Sequence, residues 1–365
     1  MLRHHPYGGP VALARPHGRG SAGHERREWE ERAGLESDLQ KVLDASGIPF
    51  ATMMADKGVL NEHQDSYVGM YDGKLMDESV RAFVEGADRV LLVGALMNDF
   101  NTGAFTARLD PARVIDIRHH HVRVGPVTYQ SVEMKDLLDR LARELPKRSW
   151  PKPSGPVTRI AAGNGNGKIT ADSLYPRWEG FLKPEDIVVA ETGTSSMGMV
   201  FAKLPEGATF HNQTLWGSIG WATPAAFGAA LAASANGGKK RVVLITGEGS
   251  HQLTAQEISQ MGRYGLKPVV FLLNNNGFLI ERLLCKDPDI EYNDLAQWHY
   301  ANLPKTLGCD DWYTARVTTL TELDQALEQA QNADSGVYIE IVTGEYESPP
   351  LAKKMHDSVD TLYTA

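Results

Sequence analysis

The segment RVVLITGEGSHQLTAQEISQMGRYGLKPVVFLLNNNGFLIERL, residues 241–283, sets an acid and three consecutive asparagines at the ends of two apolar runs. Glu248 follows the first run, and residues 274–276 follow the second. A carboxylate, a side-chain amide and a backbone carbonyl are hard oxygen ligands, suited to Mg²⁺ or Ca²⁺ rather than to zinc. If the two runs are neighbouring parallel strands, their C-terminal ends lie about 5 Å apart. A six-coordinate Mg²⁺ takes oxygens at about 2.1 Å and fits between such ends. Gly247 and Gly249 let the backbone turn tightly beside a ligand. Ser250 is read as opening a helix whose first amides face the same place, a seat for a diphosphate. GEG, then 24 residues (250–273), then NN therefore predicts a metal-bound diphosphate.

These ends need a parallel sheet to bring them together. In the first half, LESDLQKVLDASG reads as an amphipathic helix with apolar Leu39, Val42 and Leu43 and a stop at Gly47. IPFATMM, DRVLLVGA and ARVIDIRHH read as strands, and DESVRAFVEGA and SVEMKDLLDRLARELP as helices. The second half repeats the alternation through DIVVAETG, RVVLITG, PVVFLLN, DWYTARV and GVYIEIVT. Strands alternating with helices at this spacing predict parallel sheets covered on both faces. PKRSWPKPSGP, 146–156, with four prolines, is read as a linker. The expected fold is α/β, with two three-layer αβα domains at 35–150 and 151–346 and a helical tail at 347–365. Residues 1–34, rich in Arg, His and Gly, are expected to be disordered, with GGPVALA as the only strand-like run in them.

Composition bounds the function. The 365 residues are 42% hydrophobic and 23% charged, a globular balance. The net charge of −9 argues against nucleic-acid binding, and no apolar run is long enough to span a membrane. Cys285 and Cys309 lack the spacing of a zinc site and read as thiols in a reducing compartment. The HHH run at 119–121 is read as surface, because consecutive residues on a strand face opposite ways.

The G-x-G to N-N spacing resembles the thiamine diphosphate motif, in which the acid is usually Asp. LWGSIG, GEGSHQLTAQEI, NNNGFLIE and AETGTS together resemble the pyruvate/indolepyruvate decarboxylase family of 2-oxo acid decarboxylases. DKGVLNEHQDSYVGMYDGKL and GALMNDFNTGAF resemble that family's middle domain. The resemblance covers about 35–365 and implies thiamine diphosphate and Mg²⁺ as cofactors.

Residue by residue, it implies that Glu248, Asn275 and Gly277 hold the metal. Thr194, Gly249 and Ser250 would meet the diphosphate. Gly217 and Ile219 of GSIG would meet the aminopyrimidine ring, and Ile280 would border both cofactor and substrate. Glu281 would be the catalytic acid, with Thr192, Ile280 and Leu284 lining the substrate pocket. Glu248 departs from the usual Asp by one methylene, which bears on metal affinity more than on cofactor identity.

The family also has a pyrimidine-binding domain, which supplies a glutamate and a His-His pair, and no counterpart of it is found in this sequence. The resemblance thus implies the middle and diphosphate-binding domains of a cytoplasmic decarboxylase, weak or inactive alone. Its implied partners are a small 2-oxo acid and either further copies in a homo-oligomer or a chain supplying the pyrimidine-binding domain. Ser196 and Met197 would leave room for indolepyruvate or phenylpyruvate over pyruvate. The alternatives are a non-catalytic cofactor-binding subunit modulating a full-length relative, and acetolactate synthase-like carboligation.

Overall fold

A computed structural model describes residues 10–14, 35–152, 167–213, 215–238 and 240–357, with residues 10–14 described by their backbone. The chain divides into two compact units, Met1–Thr158 and Arg159–Ala365. The segment read as a linker ends just before that division, and its residues 153–156 lie outside the described residues. Its earlier part folds back: Arg148 N–H and Trp150 Nε1 both donate to the Ser46 carbonyl, at 3.0 and 3.2 Å.

Unit 1 contains β1 (Pro10–Ala14), α1 (Leu35–Ser46), β2 (Phe50–Thr52), β3 (Tyr67–Met70), α2 (Glu78–Glu85), β4 (Arg89–Val93), β5 (Val114–Ile117), β6 (His121–Val124), β7 (Val127–Gln130) and α3 (Met134–Glu144). Its strands run in the order β3-β2-β1-β4-β5-β6-β7. The first five are parallel, and β6 and β7 extend the sheet as an antiparallel hairpin. One expectation is corrected here. Residues 10–14, inside the segment read as disordered, form the strand that joins β2 to β4. The run is the strand-like PVALA noted in the sequence, five residues set in an Arg- and Gly-rich surround. Leu39, Val42 and Leu43 of α1 pack with Leu138 of α3 on one face, and α2 covers the other with Val80, Phe83 and Val84.

Unit 2 contains α4 (Ala171–Phe181), β8 (Ile187–Ala190), α5 (Thr194–Met199), β9 (Thr209–His211), α6 (Ala222–Ala235), β10 (Val242–Gly247), α7 (Glu248–Gln252), α8 (Glu257–Arg263), β11 (Val269–Asn274), α9 (Leu279–Leu284), α10 (Leu303–Thr306), β12 (Tyr313–Val317), α11 (Leu320–Asn332), β13 (Val337–Val342) and α12 (Pro350–Asp357). The sheet is parallel throughout, ordered β12-β13-β11-β10-β8-β9. Strands β10 and β11 are buried along their length and read as continuous apolar runs because helices cover both faces. Trp178, Phe181 and Phe271 fill one layer, and Ala226, Ile258 and Met261 fill the other. The chain leaves β8 toward β9 and leaves β10 toward β11. The strand order therefore reverses between β8 and β10, and a crevice opens at their C-terminal ends. Helix α12 packs on α5 and α9 through buried Leu351, Ala352 and Met355. Tail residues 358–365 lie outside the described residues.

Candidate active site

At this crevice the ends of three strands converge. Gly247 pairs with Leu273 in the β10–β11 register, so Glu248 and the 274–277 turn face each other as their spacing predicts. One cleft of about 260 Å³ is lined by Thr192 and Thr194 after β8, Glu248, Gly249 and Ser250 after β10, and Asn275 and Gly277 after β11. Ile219, Ile280 and Glu281 complete it, together with Phe278 and Tyr292.

Glu248 is the first residue of α7 rather than a loop residue, so the helix opens two residues before Ser250, where the sequence suggested it would. Its carboxylate is buried, and Oε1 accepts the Asn275 and Gly277 amides, each at 3.0 Å. Burial pushes this carboxyl up to about 7, against the lowering effect of those amides. The terminal amide atom of Asn275 that faces it lies 3.1 Å from Glu248 Oε1 and 2.8 Å from the Gly277 carbonyl. With nitrogen in that place the amide donates to both oxygens. With oxygen there, it would join the Glu248 carboxylate and the Gly277 carbonyl as a donor set suited to a hard divalent cation. The residues present thus fit Mg²⁺.

Gly277 takes φ +156°, and a Cβ there would strike the Asn293 carbonyl and the Arg282 guanidinium. Arg282 is buried and donates to the Asn276 carbonyl (2.9 Å) and to Asp294 (2.7 Å), which fixes the outer side of the turn. On the inner side Asn274 Nδ2 donates to buried Glu340 on β13, at 2.9 Å. A Cβ on Gly249 would meet the Phe278 ring, so the turn after β10 approaches the 278 side chain closely.

Glu191 is the acid that sequence reasoning passed over, although it stands inside AETGTS at the end of β8. It is fully buried. It accepts Thr192 N–H at 3.0 Å, Ala222 N–H at 3.3 Å and the Thr246 hydroxyl at 3.5 Å. Burial raises it to about 7. Thr192 Oγ1 lies 2.6 Å from the Ser218 carbonyl and 3.1 Å from that of Gln213. Glu191 and Thr192 together tie down the segment that carries Gly217 and Ile219. His251 is also fully buried, with Nδ1 3.0 Å from Thr223 Oγ1, and burial lowers it to about 4.

Three expectations change. Leu284 does not line the cleft, because it sits a helical turn, about 5.4 Å, beyond Ile280 and Glu281. Gly217 stays out of the lining, in an open loop where a Cβ would meet nothing. Ser196 and Met197 are buried inside α5 and line no part of the cleft, so they carry no information on substrate size. Beside the mouth, Trp216 is 74% exposed, and Leu253 and Ile219 are exposed as well.

A parallel sheet whose switch point holds a hard-cation donor set beside buried glycine turns defines a diphosphate-cofactor protein. Residues 191–341 match the thiamine pyrophosphate enzyme C-terminal TPP binding domain, and residues 30–141 match the thiamine pyrophosphate enzyme central domain. The chain belongs to the thiamine pyrophosphate enzyme family, whose central and C-terminal domains it carries. It is 35% identical over 328 residues to an alpha-keto-acid decarboxylase of Mycobacterium leprae, an alignment covering 88% of this chain and 56% of that protein. It is 36% identical over 326 residues to pyruvate decarboxylase isozyme 1 of Saccharomyces cerevisiae, covering 87% and 57%. The chain thus spans a little over half the length of these relatives. The fold is shared with benzoylformate decarboxylase from Polynucleobacter necessarius at TM-score 0.70 and 16% identity, over 94% of this chain and 63% of that one. No helix among the described residues is long and apolar enough to cross a membrane.

Proposed function

We propose that the chain is the cofactor-holding part of a thiamine diphosphate- and Mg²⁺-dependent non-oxidative decarboxylase that converts a 2-oxo acid to an aldehyde and CO₂. The convergence of the Glu248 carboxylate, the Asn275 amide and the Gly277 carbonyl carries this reading. These three groups would hold Mg²⁺, with Thr194, Gly249 and Ser250 around the diphosphate. When bound, thiamine diphosphate supplies an electron-accepting ring beside the carbon that loses CO₂. Glu281, on the first turn of α9 and facing the cleft, holds the proton that the product carbon takes up. Ile219, which lines the cleft, meets the pyrimidine ring, Gly217 shapes the loop that carries it, and the Glu191–Thr192 clamp keeps that loop in place. Phe278, Ile280 and Tyr292 give the cleft an apolar side, which favours an aromatic 2-oxo acid such as phenylpyruvate or indolepyruvate.

The exposed side chains of Trp216, Ile219 and Leu253 support a partner that covers this mouth. That partner is a pyrimidine-binding domain bringing the acid that activates the cofactor. Calorimetric titration with thiamine diphosphate and Mg²⁺, followed by decarboxylation assays on phenylpyruvate, indolepyruvate and pyruvate, tests the reading. Mg²⁺-dependent binding, with turnover appearing or rising on addition of the partner domain, is expected. Absence of Mg²⁺-dependent binding overturns it. Binding that only alters the rate of a full-length relative would assign the chain a modulating role instead.

A further inference from the structure

A second set of metal-ligating side chains lies in unit 1, outside everything the decarboxylase reading uses. His119 and His120 are the central residues of the β5–β6 turn, which is closed by Arg118 N–H donating to the His121 carbonyl at 2.9 Å. They stand off the strand, so the alternation expected of HHH does not apply to them. Their rings stack with centroids 4.2 Å apart and planes 21° from parallel. A second segment brings an acid to the same place. Val132 N–H donates to the His120 carbonyl (3.2 Å) and Met134 N–H to the His119 carbonyl (3.0 Å). Glu133 lies between those two pinned amides, and both its carboxylate oxygens are 2.9 Å from His120 Nδ1. One ring nitrogen from each histidine and one Glu133 oxygen all lie within 4.8 Å of one another.

We propose that His119, His120 and Glu133 form a binding site for a divalent transition-metal ion of the zinc class. Two imidazoles and a carboxylate suit Zn²⁺, Ni²⁺ or Cu²⁺ rather than Mg²⁺. Around a tetrahedral zinc with bonds of about 2.0–2.1 Å, ligand atoms sit roughly 3.4 Å apart. The widest separation, at most 4.8 Å, must therefore close by up to about 1.4 Å, the 2.9 Å His120–Glu133 hydrogen bond must open to admit the ion, and the ring stack must part, which exposed side chains do by rotation within ps–ns. The backbone is already braced for it by the two cross-segment hydrogen bonds. The flanking cations are engaged elsewhere: Arg118 and Arg123 both reach Asp116, at 2.6 and 3.5 Å. Three protein ligands leave a coordination position open to solvent.

Equilibrium dialysis against Zn²⁺ in saturating Mg²⁺, with bound zinc counted, tests the site. Zinc held by the Glu248 oxygens is common to all the chains and cancels in the comparison. The variants are His119→Ala/His120→Ala and Glu133→Gln. His120 and Glu133 are largely exposed, so the fold is expected to survive, and thermal melting checks it. The unaltered chain is expected to bind one zinc more than the double variant. Glu133→Gln is expected to weaken that zinc by more than the roughly tenfold cost of losing even an outer partner. Co²⁺ in the same place is expected to give visible absorption that the double variant lacks. Equal zinc uptake by the unaltered chain and the double variant, as the histidines at 4, 5, 17 and 24 would give, overturns the proposal.

Discussion

Glu191 and Glu248 each place a carboxyl in the interior at the ends of adjacent strands, and burial raises both from the usual carboxylate range to about 7. A folded value above the unfolded one means stability that is full below pH 4.5 and is lost as pH rises to about 7. A rise of this size is worth on the order of 3 kcal/mol per group. Urea unfolding of the Mg²⁺-free chain is therefore expected to show less stability at pH 7 than at pH 5, with the difference reduced in Glu191→Gln. An unchanged pH slope in that variant would refute the assignment. Glu248 adds a second expectation. Its carboxylate reaches far enough to accept two backbone amides of the 275–277 turn. Shortening it to Asp draws the carboxylate back and makes room for the ion. Glu248→Asp is expected to tighten Mg²⁺-dependent thiamine diphosphate binding, measured by calorimetry. It should also cost the metal-free chain about 1.5–3 kcal/mol, the range for hydrogen bonds to a charged group. Weaker Mg²⁺ binding in the variant would sink this reading.

The described residues from Gln213 to Trp221 lie outside helix and strand, and their position before α6 rests on Thr192 and Glu191. Glu191→Ala is expected to weaken thiamine diphosphate at least tenfold while leaving Mg²⁺ with inorganic diphosphate unchanged, because the proposed reading gives the loop to the ring alone. Equal losses for both ligands would show that Glu191 supports the whole crevice. In unit 1 the DKGVLNE stretch buries an ion pair, Lys57 Nζ to Glu62 Oε2 at 3.0 Å, with both side chains almost fully covered. Removing one partner leaves an uncompensated buried charge, so Lys57→Met or Glu62→Gln alone is expected to cost about 3–5 kcal/mol. The double replacement should cost less than the sum, and a double-mutant cycle in urea reads the difference. The strand ends of this crevice were legible in sequence because apolar runs buried on both faces stop abruptly at polar residues. Which side of a helix meets a cavity was not legible. Ser196 and Met197 were misjudged for that reason, since sequence gives a helix's period and not its rotation against neighbours, and Leu284 was misjudged because sequence does not tell how far along α9 the cleft extends. Glu191 hid inside a recognised motif because its partners, Ala222 and Thr246, are brought to it only by the sheet.

At the scale of the molecule, unit 2 gathers every group of the crevice, whereas unit 1 contributes its own folded sheet and the histidine turn. Trp216, at the mouth of the crevice, is a natural reporter for the proposed partner. Addition of a pyrimidine-binding domain is expected to shift its fluorescence to shorter wavelength, and Trp216→Ala should abolish the shift. A shift that persists in the variant would place the contact elsewhere. Strand β1 has a practical consequence of another kind. Its surroundings in sequence invite trimming of the first 34 residues to improve expression. Trimming would remove a middle strand and leave β2 and β4 as two raw edges with nothing between them. Such edges seek a strand from any available source. A shortened chain would thus be prone to pair its raw edges with those of other copies, turning a purification convenience into a mixture of edge-paired assemblies.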